Sequence, residues 1–162
     1  MKYIITESQY KLLTEDEEQK ILKLPELDYF GGWETLQKFL EKKGNPLYSI
    51  DGNLNLEGTD VEYLDNLVSV SGNLYLWGTS VKSLGNLKSV GGYLYLSKSS
   101  IQSLGNLEYV GKSLYLDDTP IKSLDNLKFV GNYLHLIGTP ISRMYSEDEI
   151  REMVDVGGEI FM

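Results

Sequence analysis

The sequence predicts a β-solenoid, with short parallel strands stacked coil upon coil and helical segments closing both ends. Three observations carry this expectation. A period of 20 residues runs without insertion through five units that begin at Leu47, Leu67, Leu87, Leu107 and Leu127. Within each unit two leucines flank a single residue, as in Leu74-Tyr75-Leu76, the alternation of a strand with one buried face. A unit this short cannot bury its own leucines, so neighbouring units have to stack and share one core.

The N-terminal segment, residues 1–46, reads as a helical cap over the first coil. Thr14-Glu15-Asp16-Glu17 has the pattern of a capping box ahead of Ile21, Leu22 and Leu24, and Pro25 ends that run. Trp33, Leu36, Phe39 and Leu40 then follow helical spacing, and Gly44-Asn45-Pro46 stops the helix before the first repeat.

Residues 47–145 form the repeats. Counting from the first leucine of each unit, position 4 is Ile50, Val70, Val90, Val110 and Val130, and positions 8 and 10 are always leucine. Position 15 is Val61, Val81, Ile101, Ile121 and Ile141, and position 18 is Leu64, Leu84, Leu104, Leu124 and Met144. These residues are expected inside. The spacing of three through Leu84, Leu87 and Val90 suits a single 3₁₀-like turn, since a 20-residue coil has no room for a full helix there. Glycines at positions 5 and 6, such as Gly91 and Gly92, turn the chain into the next strand. Thr59, Thr79, Ser99, Thr119 and Thr139 recur at one corner, and Asn66, Asn86, Asn106 and Asn126 at another. Both columns are expected to satisfy buried turn backbone.

The C-terminal segment, 146–162, reads as an acidic helical cap. Ser146-Glu147-Asp148-Glu149 is a second capping box, Ile150, Met153 and Val154 share a helix face, and Gly157-Gly158 marks the stop. One Arg stands against six acids here, so this short segment holds more than half of the chain's net charge of −9. The acids sit in the first turn, where they favour the helix dipole.

That charge argues against nucleic acid as a partner, because phosphate binding needs clustered Lys and Arg. No apolar run reaches the roughly 18 residues of a membrane span. With no cysteine and a polar opening, the chain is expected to be cytoplasmic and without disulfides or thiol chemistry. His135 is the only histidine, so no histidine metal cluster is expected. Asp117-Asp118 supplies two carboxylates where calcium takes about six to eight oxygens. The glycines follow the repeat and make no phosphate loop. Neither a catalytic site nor a cofactor is expected.

The outward strand face holds more than folding demands. Position 7 runs Asn53, Asn73, Tyr93, Ser113 and Tyr133, position 9 runs Asn55, Tyr75, Tyr95, Tyr115 and His135, and position 11 runs Glu57, Trp77, Ser97, Asp117 and Ile137. Tyr75, Trp77, Tyr93, Tyr95, Tyr115, Tyr133 and His135 thus form one aromatic surface, with Glu57 and Asp117 as a polar rim. Aromatic side chains of this kind dominate protein interfaces. A protein partner is the expected ligand, with Tyr75, Trp77, Tyr95 and Tyr115 as anchors. Two alternatives are a carbohydrate or small ligand stacked on the tyrosines, and self-association as a structural subunit. The opposing reading is a tyrosine ladder that only stabilises the stack, against which stand Trp77 and Ile137, placed toward solvent.

The stretch LYLWGTSVKSL, residues 74–84, resembles the leucine-rich repeat signature L-x-L-x-x-N-x-L-x-x-L, with Thr79 in place of the usual Asn. The lead-in from Asn86 to Gly92 is similar to short-repeat, receptor L-domain-like members. The resemblance covers about 47–145 and implies strands on one face, with 3₁₀ or irregular segments on the other. A flatter parallel β-helix is the alternative shape. The opening IITESQYKLL resembles the N-termini of tailed-phage accessory proteins, which would imply a host protein as target or a place in the virion.

Overall fold

The computed structural model describes residues 21–162. The capping-box pattern at residues 14–17 and the phage-like opening lie outside the described residues. The chain folds as a β-solenoid around one continuous core, as the repeat predicts. Each coil, however, contributes two strands instead of one. One ends at the aliphatic residue of position 4 and the other begins at the Leu-x-Leu of position 8.

In chain order the first elements are β1 (Leu22–Leu24), a 3₁₀ turn at Leu27–Phe30, α1 (Trp33–Lys42), β2 (Tyr48–Ile50) and β3 (Leu54–Asn55). There follow β4 (Leu67–Val70), β5 (Leu74–Tyr75), β6 (Ser89–Val90), β7 (Leu94–Tyr95), β8 (Tyr109–Val110) and β9 (Leu114–Tyr115). The chain closes with β10 (Phe129–Val130), β11 (Leu134–His135), α2 (Ile141–Met144), α3 (Glu147–Met153), β12 (Asp155–Val156) and β13 (Ile160–Phe161). A seven-stranded parallel sheet runs β1-β2-β4-β6-β8-β10-β12, and a six-stranded one runs β13-β11-β9-β7-β5-β3. From Ser49 to His135 the register keeps the period, with Leu74 opposite Leu94 and Leu94 opposite Leu114, and it slips by one residue only where Tyr48 pairs with Leu67. Strand on two sides and turns on the third is the arrangement of a parallel β-helix.

The corner between the two sheets explains the glycines. A Cβ built on Gly91 would overlap the carbonyl oxygen of Ser71, one on Gly111 that of Gly91, and one on Gly131 that of Gly111. Glycine is needed here because backbone stacks on backbone, and conformational freedom is secondary. At the corner after the second strand, the Thr79 hydroxyl donates to the Leu76 carbonyl at 2.8 Å, and the Thr79 N–H meets the same oxygen at 3.2 Å. Thr59, Thr119 and Thr139 donate in the same way to Leu56, Leu116 and Leu136. The threonine column is structural as expected, although each hydroxyl closes its own turn and bonds no neighbour in the column.

The asparagine column differs from expectation, because its members are half-buried or exposed. Asn66 donates to the Asn45 carbonyl, Asn86 to the Asn66 side chain and Asn126 to the Gly105 carbonyl, all along the surface. The tight turn is built instead by the residues before them. Ser83, Ser103 and Ser123 accept from the N–H two residues on, at Gly85, Gly105 and Asp125. Asp65, Gly85, Gly105 and Asp125 all adopt positive φ, which Gly and Asp tolerate best. The expected 3₁₀-like turn follows, with N–H to carbonyl bonds from Leu67 to Leu64, Leu87 to Leu84, Leu107 to Leu104 and Leu127 to Leu124.

Both ends correct the sequence reading in part. Leu22–Leu24, expected as the end of a helical run, is a strand paired in parallel with β2, Leu22 opposite Tyr48 and Leu24 opposite Ile50. Its alternation, with Leu24 buried and Lys23 exposed, has period two rather than that of a helix. The second half of the cap is helical as read: α1 buries Leu36 and Leu40 over the first coil. Tyr48 is fully buried and donates to the Leu64 carbonyl at 3.2 Å, and burial pushes its phenol far above the ordinary value.

At the far end the capping box forms, with Ser146 accepting from the Glu149 N–H and Glu149 accepting from the Ser146 N–H. Met144 is exposed instead of inward, because the fifth coil leaves the repeat at α2. Met153 is exposed too, while Ile150 and Val154 are buried. Gly157-Gly158 does not stop a helix; α3 already ends at Met153. These glycines form a sixth corner, at which Gly157 lies against the Gly131 carbonyl as Gly131 lies against Gly111. Val156 pairs opposite Val130 and Ile160 opposite Leu134, so the segment after α3 is one more rung of both sheets. Arg151 ties α3 to that corner through the Val156 and Gly158 carbonyls and Glu147.

Candidate functional site

The outer face of the six-stranded sheet brings all nine sequence-predicted residues together. Strand alternation turns positions 7, 9 and 11 away from the leucines, and parallel register places equal positions directly beside one another. Position 9 becomes a stacked column. The rings of Tyr75 and Tyr95 lie 5.0 Å apart and 7° from parallel, and those of Tyr95 and Tyr115 lie 4.8 Å apart at 6°. His135 stacks on Tyr115 at 4.4 Å, and Phe161 stacks on His135 at 4.5 Å.

Phe161 was missed in the sequence, because the sixth rung is offset by an inserted helix. The signal was present. VDVGGEIFM (154–162) aligns with KSVGGYLYL (88–96), six residues later than the period places it. Phe161 takes the place of Tyr95 in that alignment.

Flanking the column, Tyr93 is tilted against Tyr95 at 5.8 Å and Tyr133 meets Phe161 edge-on at 5.9 Å. Ser113, between them in position 7, is buried and accepts from the Tyr133 N–H. On the other flank Trp77 and Ile137 are each 50% exposed, and on the Tyr93 side Tyr133 is 45% exposed. Lys98 lies 5.7 Å over the Trp77 ring and Lys112 lies 5.0 Å over Tyr93. The Asp117 carboxylate accepts from the Ile137 N–H at 2.9 Å and lies 3.8 Å from the His135 Nδ1. Glu57 is exposed at the rim.

Stacking decides what this face can offer. A ring sandwiched in the column has both faces against neighbours, so Tyr95 and Tyr115 present only edges and hydroxyls. Burial, and then the phenols of Tyr115, Tyr75 and Tyr93 and the Glu57 carboxylate, raise the Tyr95 phenol above its ordinary value. The Tyr95 hydroxyl therefore stays protonated near neutral pH and acts as a hydrogen-bond donor and acceptor. Among the described residues, no group of three or more carboxylates and imidazoles is placed to hold a metal ion. No helix among them is long and apolar enough to cross a membrane. No family model, curated protein or solved structure matches this chain.

Proposed function

We propose that this chain is a non-enzymatic interaction module that docks a protein partner along the outer face of the six-stranded sheet. The observation that carries the reading is the exposure of Trp77, Tyr133 and Ile137 beside a rigid ring column. Large apolar groups in solvent, gathered on one flat face, are characteristic of interaction surfaces. Trp77 and Ile137 occupy the same flank three rungs apart, about 14 Å at strand spacing, which suits an extended partner segment. The column of Tyr75, Tyr95, Tyr115 and His135 forms the floor, Tyr93 and Tyr133 one wall, and Glu57 and Asp117 the polar rim. The weight of anchoring falls on Trp77, Tyr133 and Ile137, because the column's ring faces are already engaged.

The resemblance to leucine-rich repeats supports the same reading, since repeat proteins bind through their extended strand face. The chain acts within the cytoplasm, with no cofactor and no nucleic acid or membrane as partner. The test pairs capture with melting. Wild type and a Trp77→Ser/Ile137→Ser variant are presented to source-cell lysate, and both are melted. Loss of a captured protein at an unchanged melting temperature supports docking. Equal capture by both refutes it, and light scattering that shows a dimer lost in the variant would assign the face to a second copy.

A further inference from the structure

The tyrosine column is open at one end. Tyr75 stacks on Tyr95, but on its other side the rung belongs to Asn55, its register partner in β3. Asn55 is shorter than a tyrosine, and a cleft of about 290 Å³ lies there, lined by Glu26, Leu27, Asp28, Asn53, Asn55 and Tyr75. Its walls are fixed. Glu26 accepts from the Asn53 N–H at 3.2 Å, and its side chain fills the space over Gly52 where a Cβ would sit. The Asn53 Oδ1 accepts from the Asn73 N–H at 2.8 Å, and the Asn55 Oδ1 accepts from the Glu57 N–H at 2.9 Å. With each amide oxygen held, the Nδ2 donors are what the two asparagines offer a guest. The Asn73 side chain donates to the Tyr75 hydroxyl at 3.0 Å and fixes the ring from its edge.

We infer that this cleft binds the ring of a neutral saccharide, which takes the place of the missing aromatic rung on Tyr75. A guest here meets a flat π face on one side and amides and carboxylates around its edge. A sugar ring matches both, with C–H bonds on its face and hydroxyls at its rim. A plain aromatic guest would stack equally well, but would strip water from Asn53, Asn55 and Asp28 without replacing its hydrogen bonds, which is costly. A phosphorylated or carboxylated guest would meet Glu26 and Asp28. The cleft is at the small end of ligand sites, so one ring fits and a long chain does not. The inference shares Tyr75 with the floor of the protein-docking face but none of its anchors, Trp77, Tyr133 and Ile137.

The experiment is a titration of the isotope-labelled full chain followed by NMR, with four probes: methyl β-glucoside, N-acetylglucosamine, phenol and glucose 6-phosphate. Saturable shifts of the Asn53 and Asn55 side-chain amides with one of the neutral sugars, and not with glucose 6-phosphate, are expected. Asp28→Asn should weaken binding by about tenfold. Asn55→Tyr supplies the missing rung from within the chain, so it should remove sugar binding while keeping the fold, with a melting temperature no lower than that of wild type. Absence of shifts with both neutral sugars overturns the inference, as does sugar binding that persists in Asn55→Tyr. Shifts with phenol alone also overturn it, assigning the cleft to an aromatic side chain.

Discussion

Replacing Tyr95 with Ser separates a stabilising ladder from a binding surface. Tyr95 is the centre of the column, stacked on Tyr75 at 5.0 Å and on Tyr115 at 4.8 Å, with Tyr93 tilted against it at 5.8 Å. Each stacked aromatic pair contributes about 0.5–1.5 kcal/mol beyond its buried area. Two such pairs, and the partial burial of the ring itself, put the cost of Tyr95→Ser at about 2–4 kcal/mol. For a domain of this size each kcal/mol lowers the melting temperature by about 2–4 °C, so a fall on the order of 10 °C is expected. Trp77→Ser is the comparison. Trp77 is half exposed and outside the column, so its loss should cost less than about 1 kcal/mol. Urea denaturation of both variants, with Tyr115→Ser and the Tyr95→Ser/Tyr115→Ser pair completing a cycle, measures the effect. A coupling of about 0.5–1.5 kcal/mol between Tyr95 and Tyr115 is expected. Equal costs for Tyr95→Ser and Trp77→Ser, or no coupling in the cycle, would refute the column as a mechanical element.

Three further outcomes test the frame. Gly111→Ala should cost about 2–4 kcal/mol by chemical denaturation, because its methyl meets the Gly91 carbonyl and neither backbone can yield, whereas Gly58→Ala, with open space around it, carries only the strain of its positive φ, about 1–2 kcal/mol. Ser99 is the one member of its column whose buried hydroxyl lacks a partner, so Ser99→Thr should raise stability by about 0.5–1 kcal/mol, and a lower melting temperature would contradict the account of the threonine corner. The Glu149 carboxyl is held below its ordinary value by the backbone N–H and side chain of Ser146. A depressed folded value contributes stability above the unfolded value of about 4.3, lost as pH falls through the lower folded value. Melting followed from pH 6 to pH 3 should therefore show a shallower acid loss for Glu149→Gln than for wild type.

Much of this fold is written in the sequence because the repeat supplies five copies of every constraint. The inward leucines, the threonine corner and the strand at Leu-x-Leu all follow from residue type and period. The second sheet was harder to read, because at position 4 one valine per coil gives no alternation to detect. It forms because the glycine corner brings successive coils close enough for Val70, Val90 and Val110 to pair. The ends were least legible, since each exists only once. Leu22–Leu24 is too short for its period to show, and what makes it a strand is the open edge of β2 beside it. The sixth rung was hidden by the α2 and α3 insertion, although Val156, Gly157, Ile160 and Phe161 keep the order of the repeat. Which residues face outward was readable from alternation alone, but the stacking of their rings was not. The sequence therefore could not rank the tyrosines against Trp77.

That ranking follows from geometry. A ring has two faces, and one stacked on both sides has none left for a ligand. The interior of the column, Tyr95 to His135, therefore contributes rigidity and a row of hydroxyls and ring edges. Binding has to use what the stack leaves over. On the flanks these are Trp77, Tyr133 and Ile137, whose exposure has no counterpart in the folding of the coil. At the end of the column it is the outer face of Tyr75, above the rung where Asn55 stands in place of an aromatic. A fully aromatic position 9 would have been the better ladder. Asn55 breaks it at the coil where Glu26 and Asp28 of the N-terminal cap close around the gap. The interruption lowers what stacking contributes to the first coil and leaves a walled, polar slot, and that pairing distinguishes a recess that receives a guest from a ladder that simply ends.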